Sequence, residues 1–329
     1  MEERIKVTVL FGGQSSEHEV SRVSAQCVLE NIDKERFDIQ TIGITKNGEW
    51  LKYDGDIKLI GTGDWEQTAR KKLSEAGPSV PGSGESPIPT CMDLVSFKDN
   101  KGRSEKVDVV FPVLHGPNGE DGSVQGLLQL ADVPYVGCNI LASAAGMDKE
   151  FSKLVFDNAG IPQADYIKVM RGEIGGAIPF LIEKVTEKLG WPCFVKPANA
   201  GSSVGISKVK KPEDLEEALN FAAQYDAKIL IEEFIEGREL ECAVLGNDNP
   251  IASTVGEIVP CNDFYDYSAK YIDGKSDTII PADIEPQIME QIRDYAVRAF
   301  KALGCSGLSR VDFFVERKTG RAILNEINT

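Results

Sequence analysis

The sequence predicts a mixed fold in which an α/β region is followed by an α+β region. Near the N-terminus, short β-branched runs alternate with helical periodicity, which indicates parallel strands joined by helices. The last part of the chain alternates strands with one long helix and ends in two strands, as in an α+β arrangement. A chain of 329 residues exceeds one typical hydrophobic core, so two or three domains are expected.

The N-terminal domain is predicted to span residues 1–138. It opens with a strand at Ile5–Phe11, a tight loop at Gly12 and Gly13, and a helical pattern that includes Val20. The Gly-, Pro- and Ser-rich stretch Gly77–Pro89 is interpreted as a surface excursion within this domain. The other predicted elements are strands at Phe37–Ile44, Val107–Leu114 and Val133–Val136 and a helix at Val124–Leu130.

Two further domains are predicted at residues 139–236 and 237–329. Both follow from the order of extended runs and helical patterns along the chain. The second should contain a helix from Asp148, strands at Cys193–Lys196 and Gly205–Val209, a helix from Pro212, and a strand at Lys228–Phe234. The third should contain a helix at Glu285–Leu303 and strands at Leu308–Val315 and Ala322–Asn328.

Charge and cysteine content limit the classes of partner and compartment. The chain has 36 Lys and Arg against 52 Asp and Glu, and the formal net charge of -16 would repel nucleic acid and anionic membrane surfaces. We therefore expect neither as a partner. Seven cysteines without a C-x-x-C pair favour a reducing compartment, and the N-terminus lacks an apolar signal segment. A cytoplasmic protein is expected.

The two C-terminal strands carry the most informative side chains. Strand alternation places Arg310 and Asp312 on one face, and Glu326 and Asn328 on one face of the next strand. If the hairpin turns about Thr319, Asp312 lies opposite Glu326. Carboxylate and amide oxygens clustered in this way suit Mg²⁺ that carries nucleotide phosphates.

Two stretches in the middle of the chain suggest a nucleotide site. Lys196 ends a predicted strand and precedes a Gly-Ser loop that extends to Gly205, and the loop's backbone donors and hydroxyl groups can surround phosphates. Downstream, the buried run that starts at Ile229 leads into acidic residues before Leu240. Carboxylates at a strand exit can accept hydrogen bonds from an adenine amine or ribose hydroxyls.

Each of these stretches also has a structural alternative. The C-terminal pair of strands can be a salt-bridged outer sheet face, with Arg310 and Arg321 as the partners of the carboxylates. A Gly-Ser loop also serves as a plain hairpin turn, and charges at strand ends are commonly solvated. The residues taken one stretch at a time leave these alternatives open.

The chain has two histidines, and they lead to different interpretations. His115 follows an apolar strand in the segment His-Gly-Pro-Asn-Gly-Glu-Asp-Gly, where open α/β sheets place ligands. His18 lies in a helix-entry loop between Glu17 and Glu19. We predict a functional role for His115 and a structural role for His18.

Taken together, the motifs resemble the D-alanine:D-alanine ligase family, which includes the related D-alanine:D-serine ligases of vancomycin resistance. The similar segments occur in the family's order across nearly the whole chain. They are Phe11–Ser21, the His115 segment, Gly146–Lys149, the Lys196 loop, Phe264–Tyr271 and Asn325–Asn328. The resemblance implies an ATP-grasp fold with an N-terminal Rossmann-like domain.

The resemblance also implies a reaction. In this family ATP phosphorylates the carboxylate of one D-alanine, and the amine of a second D-alanine attacks the acyl phosphate, which gives a dipeptide for peptidoglycan synthesis. Phosphorylation is needed because a carboxylate is a poor electrophile until its oxygen becomes a good leaving group. A Tyr-rich polar loop, Asp263–Lys275, is expected to act as a lid that excludes water. The resemblance further suggests a homodimer.

By matching motifs, the resemblance assigns roles to individual residues. Glu17 should bind the ammonium of the first substrate, and His115 should lie near its carboxylate. Ser202 and Tyr271 should link with Glu17 and close the loop, and Arg310 should steady the developing oxyanion. ATP contacts are expected from Lys149, Lys196, Ser203, Glu232, Ile235, Glu239 and Lys270, and a pair of Mg²⁺ or Mn²⁺ ions is expected at Asp312, Glu326 and Asn328.

Some features depart from the family pattern, and others leave undecided whether the second substrate is D-alanine or D-serine. Position 233 is Glu where many relatives have a basic residue, and the chain ends at Thr329, before a segment that helps bind the second substrate. We therefore expect a truncated C-terminal domain. The segments Ile42–Trp50 and Ala302–Gly307 are similar to the D-alanine:D-serine ligases, so that activity is the first alternative. A catalytically impaired nucleotide-binding protein or fragment is the second.

Overall fold

The computed structural model describes residues 4–75, 96–98, 104–201, 204–259 and 277–329. These residues form two compact units, residues 1–140 and 141–329. The separation of residues 139–236 from 237–329 as distinct domains stays a prediction. The predicted features outside the described residues are the excursion Gly77–Pro89, the lid Asp263–Lys275, Ser202, Ser203, Lys270 and Tyr271.

The first unit is built on a four-stranded sheet. Its strands are β1 Ile5–Gly12, β2 Phe37–Ile44, β3 Trp50–Tyr53 and β6 Val109–Leu114, with a separate hairpin of β4 Ser96–Lys98 and β5 Ser104–Lys106. The strand order is β3-β2-β1-β6, with β1 parallel to both β2 and β6 and β3 antiparallel to β2. The helices are α1 His18–Asn31, α2 Lys58–Thr62, α3 Trp65–Glu75 and α4 Ser123–Leu130.

Both faces of β1 are buried from Val7 onward, which explains the apolar run Val9–Phe11 at its end. Val9 and Phe11 pack with Trp65 in one hydrophobic cluster, whereas Leu10 packs with Leu128 in another. The carboxyl ends of β1 and β6 therefore lie side by side, because the two strands are parallel and adjacent. The loops that follow them carry Glu17 and His115.

The predicted strand Val133–Val136 is wrong. Only Tyr135 forms a bridge there, parallel to Val110. Val110 donates its N–H to the carbonyl of Pro134 and accepts from the N–H of Val136. The ladder does not extend because Pro134 has no N–H to donate and Gly137, at φ 117°, leaves the extended conformation.

The second unit begins with an antiparallel four-stranded sheet of order β7-β10-β8-β9. Its strands are β7 Tyr166–Met170, β8 Cys193–Pro197, β9 Ser207–Val209 and β10 Lys228–Glu233. The strand predicted from Gly205 begins two residues later, because Gly205 has φ +74° and turns the chain. The helices are α5 Ile140–Met147, α6 Lys149–Asn158, α7 Ile174–Lys188 and α8 Leu215–Ala222, the last preceded by a 3₁₀ turn at Pro212–Asp214.

The two faces of this sheet have different chemistry. Ile167, Val195 and Ile231 lie on one face and form a hydrophobic core with residues of α7 and α8. Strand alternation places Lys196 and Glu232 on the opposite face. The sequence pattern of these strands thus separates the apolar core from a sheet face that carries charged side chains.

A five-stranded antiparallel sheet completes the second unit, in the order β13-β12-β11-β14-β15. Its strands are β11 Gly237–Gly246, β12 Ile251–Val259, β13 Asp277–Ile279, β14 Gly307–Glu316 and β15 Ala322–Asn328, and its helix is α9 Pro286–Leu303. Val311 and Phe313 are buried on one face of β14. Arg310 and Asp312 lie on the other, as alternation predicts. No described helix is both long and apolar enough to cross a bilayer.

Candidate active site

Glu17 and His115 are connected through Ser15. The Ser15 hydroxyl donates to the His115 carbonyl at 2.8 Å, and the Glu17 N–H donates to the Ser15 Oγ at 3.2 Å. Glu17 is only 6% exposed. The structure therefore brings the two substrate residues predicted in the first unit into one cluster, held by backbone as well as side-chain groups.

The His115 side chain contacts groups on both sides of its ring. Nε2 lies 3.1 Å from the Ser24 hydroxyl, and Nδ1 lies 3.7 Å from Glu120 Oε1. Glu120 is itself fixed, because its Oε2 accepts from the Gly116 N–H at 2.7 Å. Beside the ring is a cavity of about 230 Å³ whose lining includes Leu114. His115 therefore combines a defined orientation with an accessible concave surface.

The backbone of Gly116 packs closely against the Glu17 carboxylate. Its φ is +71°, a conformation that other residues rarely adopt. A Cβ built there would collide with Glu17 Oε2. The close approach of backbone and carboxylate therefore requires glycine at this position.

His18 occupies a buried position next to the same loop. Its Nδ1 lies 2.9 Å from the Gly13 carbonyl. Burial lowers the pKa of His18, although the hydrogen bond with Gly13 acts in the opposite direction. These contacts agree with the structural role predicted for His18.

In the second unit, the start of α6 is bound to the loop that follows β8. Asp148 caps the helix, with its Oδ1 accepting from the N–H groups of Glu150 and Phe151. Lys149, the first helical residue, donates its N–H to Ala198 at 3.1 Å and its Nζ to the Ala200 carbonyl at 2.8 Å. Lys149 and the Gly-Ser loop are therefore adjacent, as a shared phosphate site requires.

Lys196, Glu232 and Lys153 form a buried ion cluster. Lys196 Nζ lies 2.5 Å from Glu232 Oε2, and Lys153 Nζ lies 3.1 Å from Glu232 Oε1. Burial disfavours the Glu232 carboxylate, but the charges of the two lysines outweigh it and lower its pKa to about 2. Burial opposes the charge of Lys196, whereas Glu232, Glu326 and Glu239 raise its pKa. Glu232 is thus the carboxylate that Lys196 contacts directly.

The remaining residues predicted near adenine follow β10. Ile235 is half-buried in the link between β10 and β11, and Glu239 lies on β11 opposite Phe314. Glu233, the departure from the family pattern, accepts from the Asp165 N–H at 2.8 Å. Its carboxylate therefore holds the segment before β7.

Arg310 and Asp312 form a two-point ion pair on the open face of β14. Arg310 Nε and Nη2 donate to the two Asp312 oxygens at 2.8 and 2.9 Å. Glu241 Oε1 is 3.4 Å from Arg310 Nε, and Asn328 Nδ2 donates to Asp312 Oδ2 at 3.0 Å. The charge of Asp312 raises the pKa of Arg310. The salt bridge of the structural alternative is therefore present within the predicted metal-binding group.

Asp312 and Glu326 are partners in the β14–β15 register, and the Asn328 amide reaches Asp312. This oxygen-rich set fits Mg²⁺, which takes few protein ligands and completes its coordination with water and phosphates. Within the described part of the chain, no cluster of three or more His, Cys, Asp or Glu forms an all-protein cage. A site completed by nucleotide oxygens is the arrangement that these residues suit.

Three contacts of the predicted site residues were missed from the sequence. Lys153 pairs with Glu232, Glu241 with Arg310, and Ser24 with His115. Lys153 follows Lys149 by four residues, a spacing that puts both on one side of a helix. That spacing is the one signal that pointed to it.

A lysine-bearing strand with its Gly-Ser loop in one antiparallel sheet and an oxygen-rich strand pair in the next define an ATP-grasp protein. Two family profiles match the chain: "D-ala D-ala ligase N-terminus" over residues 6–138 and "D-ala D-ala ligase C-terminus" over residues 155–329. This chain belongs to the D-alanine–D-alanine ligase family. The resemblance, the ATP-grasp fold and the ligase class predicted from the sequence are confirmed.

Individual relatives agree with this assignment. The D-alanine–D-alanine ligase of Acetivibrio thermocellus is 55% identical and covers 100% of this chain and 88% of the relative. The D-alanine–D-alanine ligase of Ruminiclostridium cellulolyticum is 56% identical, and the match covers 98% of this chain and 86% of that relative. Among solved structures, the VanG D-Ala:D-Ser ligase from Enterococcus faecalis has a TM-score of 0.80 at 38% identity, covering 99% and 90%. The D-alanine–D-alanine ligase from Coxiella burnetii has a TM-score of 0.78 at 34%, covering 99% and 85%.

Proposed function

We propose that this chain uses ATP to join two D-alanines into D-alanyl-D-alanine for peptidoglycan precursors. Relatives named D-alanine–D-alanine ligase are 46–56% identical over nearly the whole chain. The observation that carries the proposal is that one unit holds both the Lys196–Glu232 ion pair and the strand pair in which Asp312 lies opposite Glu326. This arrangement puts the lysine proposed to bind phosphate in the same unit as the strands proposed to bind the metal.

D-Alanine is the acceptor that the comparisons favour over D-serine. The D-alanine–D-alanine ligases of Acetivibrio thermocellus and Ruminiclostridium cellulolyticum, at 55 and 56% identity, are more similar in sequence to this chain than the VanG ligase is, at 38%. A catalytically impaired protein is disfavoured for a different reason. Lys196, Arg310, Asp312 and Glu326 are all present: Lys196 pairs with Glu232, and Arg310, Asp312 and Glu326 lie together on the β14–β15 strand pair.

The nucleotide would lie over the charged face of the four-stranded β7-β10-β8-β9 sheet. Lys149 and Lys196 are positioned to bind its phosphates, because both adjoin the Gly-Ser loop. Adenine and ribose would be held by Glu232 near the end of β10, Ile235 in the link to β11, and Glu239 on β11. Ser203 and Lys270 are proposed as further phosphate contacts on the basis of the family resemblance.

The first D-alanine would bind through opposite charges. Glu17, buried beside Gly116, would accept its ammonium, and His115 would lie near its carboxylate. Ser202 and Tyr271 are proposed from the resemblance to link with Glu17. A buried carboxylate that binds a cation in this way fixes the orientation of the substrate as well as its charge.

In the chemical step, a carboxylate oxygen of the first D-alanine attacks the γ-phosphorus of ATP, and ADP leaves. The amine of the second D-alanine then attacks the acyl phosphate, a C–N bond forms, the C–O bond to phosphate breaks, and the amine loses a proton. Arg310, oriented by Asp312 and Glu241, would stabilise the developing oxyanion.

Asp312, Glu326 and Asn328 would hold Mg²⁺ or Mn²⁺ in this site. Such an ion, when bound, neutralises phosphate charge and polarises the transferred phosphoryl group. The cytoplasmic location and the homodimer stay predictions, and gel filtration of the purified chain tests the second of these.

The test is a coupled assay of ADP release. We expect release with D-alanine alone, no stimulation by L-alanine, and D-alanyl-D-alanine as the product. A mixed dipeptide as the main product when D-serine is added would support the D-alanine:D-serine alternative. ADP release that does not depend on any D-amino acid would contradict both ligase activities.

A further inference from the structure

Lys153 is a buried cation to which the proposed reaction gives no task. It lies on α6, is 3% exposed, and pairs with Glu232, a residue of the proposed nucleotide site. Removing a lysine from water is costly unless its charge is compensated. Its position therefore calls for an explanation beyond surface charge.

The two oxygens of Glu232 are divided between two lysines. Oε1 contacts Lys153 at 3.1 Å and Oε2 contacts Lys196 at 2.5 Å. The three side chains together carry one net positive charge. Glu232 is 4% exposed, so water contributes little to its stabilisation. The lysines are the groups that keep this carboxylate ionised.

The surroundings of the two lysines differ. Lys153 Nζ also lies 3.3 Å from the Ala164 carbonyl and 5.5 Å from the centre of the Tyr166 ring, so several groups hold it in place. Lys196 is the penultimate residue of β8, just before the Gly-Ser loop, and beside Glu232 its Nζ has only the Phe194 ring near it among the described contacts, 5.9 Å from the ring centre. Lys153 is therefore held by more protein groups than Lys196, which adjoins the loop of the proposed phosphate site.

This difference has an energetic consequence for nucleotide binding. When Lys196 turns toward a phosphate, it gives up its contact with Glu232. A buried carboxylate left without any cation is strongly destabilising. With Lys153 in place, Glu232 keeps one partner, and the movement of Lys196 costs less.

We propose that Lys153 is a positioning residue, the permanent counter-ion of Glu232 that releases Lys196 to bind nucleotide phosphates. The inference rests on the proposed function, because it assumes that Lys196 contacts the nucleotide. Without Lys153, Glu232 would retain Lys196, and nucleotide affinity would fall. The sites for D-alanine in the other unit would be unaffected.

The experiment measures ADP binding by calorimetry and steady-state kinetics for K153M, K153R and a control, K168M. Lys168 pairs with Glu150, which also lies on α6, but has no contact with Glu232 in the described structure. We expect the ADP Kd and the KM for ATP of K153M to rise about tenfold, with less than roughly a twofold change in the KM for D-alanine. K153R should recover most of the affinity, and K168M should match the unaltered chain.

A second pair of variants covers the case in which K153M does not fold. In the E232Q background no carboxylate retains Lys196, so E232Q and E232Q/K153M should bind ADP equally within about twofold. An ADP Kd unchanged in folded K153M would overturn the proposal. So would a further loss of affinity in E232Q/K153M.

Calorimetry without D-alanine also separates the two proposals. An unaltered chain that binds ADP but makes no dipeptide would contradict the proposed function and leave the ADP measurements on Lys153 valid. An unaltered chain that ligates D-alanine, combined with a K153M that binds ADP normally, would contradict only the role of Lys153.

Discussion

Asp312 lies directly opposite Glu326 in the pairing of β14 with β15, one position before a β-bulge. Residues that are paired in this way have neighbouring side chains on one face of the sheet, and the Arg310 guanidinium donates to the Asp312 carboxylate. We predict that Glu326→Gln lowers kcat at least 100-fold, because removal of one charged ligand weakens metal binding. Steady-state assays across a Mg²⁺ titration measure this effect.

Glu316→Gln is the matched control for that variant. Glu316 lies at the other end of β14, where it accepts a hydrogen bond from the Thr319 hydroxyl. The Glu316→Gln variant should therefore have the kcat and the Mg²⁺ requirement of the unaltered chain. Near-normal turnover of Glu326→Gln would remove Glu326 from the proposed metal site.

Gly116→Ala is predicted to disturb the first D-alanine site. The new Cβ collides with Glu17 Oε2 and forces a left-handed conformation on alanine. We expect a rise of about tenfold or more in the KM for D-alanine, with the ADP Kd unchanged. Gly175→Ala, where a Cβ has nothing within 4 Å, is the control. Unchanged kinetics in Gly116→Ala would show that Glu17 does not need its present position.

Glu232 should contribute to acid sensitivity. Its pKa falls from an ordinary 4.5 to about 2 in the folded protein, so its stabilisation is complete above pH 4.5 and is lost as the pH falls toward 2. The full contribution of Glu232 to the free energy of unfolding is on the order of 3 kcal/mol. The Tm should therefore fall less between pH 5 and pH 3 in Glu232→Gln than in the unaltered chain. Equal falls in calorimetric scans would contradict the assignment.

The Cys193 thiol should be inert in the folded protein. Burial raises its pKa to about 12, so almost no reactive thiolate exists at pH 8. Cys27, which is exposed, serves as the internal comparison. Alkylation followed by peptide mass spectrometry should label Cys27 within minutes and Cys193 only after denaturation. Early labelling of Cys193 would show that this part of the sheet opens readily.

The strand alternation of the C-terminal hairpin was enough to predict its main feature. Counting from a turn at Thr319 correctly placed Asp312 opposite Glu326. The same count pairs Phe313 with Asn325, but the structure pairs Phe313 with Leu324 and leaves Asn325 as the extra residue of the bulge. Periodicity fixes which side chains share a face, whereas a bulge depends on packing between strands and leaves no periodic signal.

The buried ion cluster was not predicted, because the hydrophobic pattern of α6 is misleading. Phe151 and Leu154 are exposed on this helix, at 57% and 50%, whereas Lys153 is buried. Hydrophobic periodicity therefore points to the wrong face. The partner of Lys153 is a carboxylate in a strand far along the chain, and only the folded structure brings the two together.

The most direct test of the proposed reaction follows oxygen from the substrate to phosphate. D-Alanine labelled with ¹⁸O in its carboxylate is incubated with ATP and Mg²⁺, and the phosphate and dipeptide are analysed by mass spectrometry. If the carboxylate is phosphorylated as proposed, D-alanyl-D-alanine forms and each phosphate released carries one ¹⁸O atom. Phosphate without the label, or ADP release without dipeptide, would contradict the proposed mechanism.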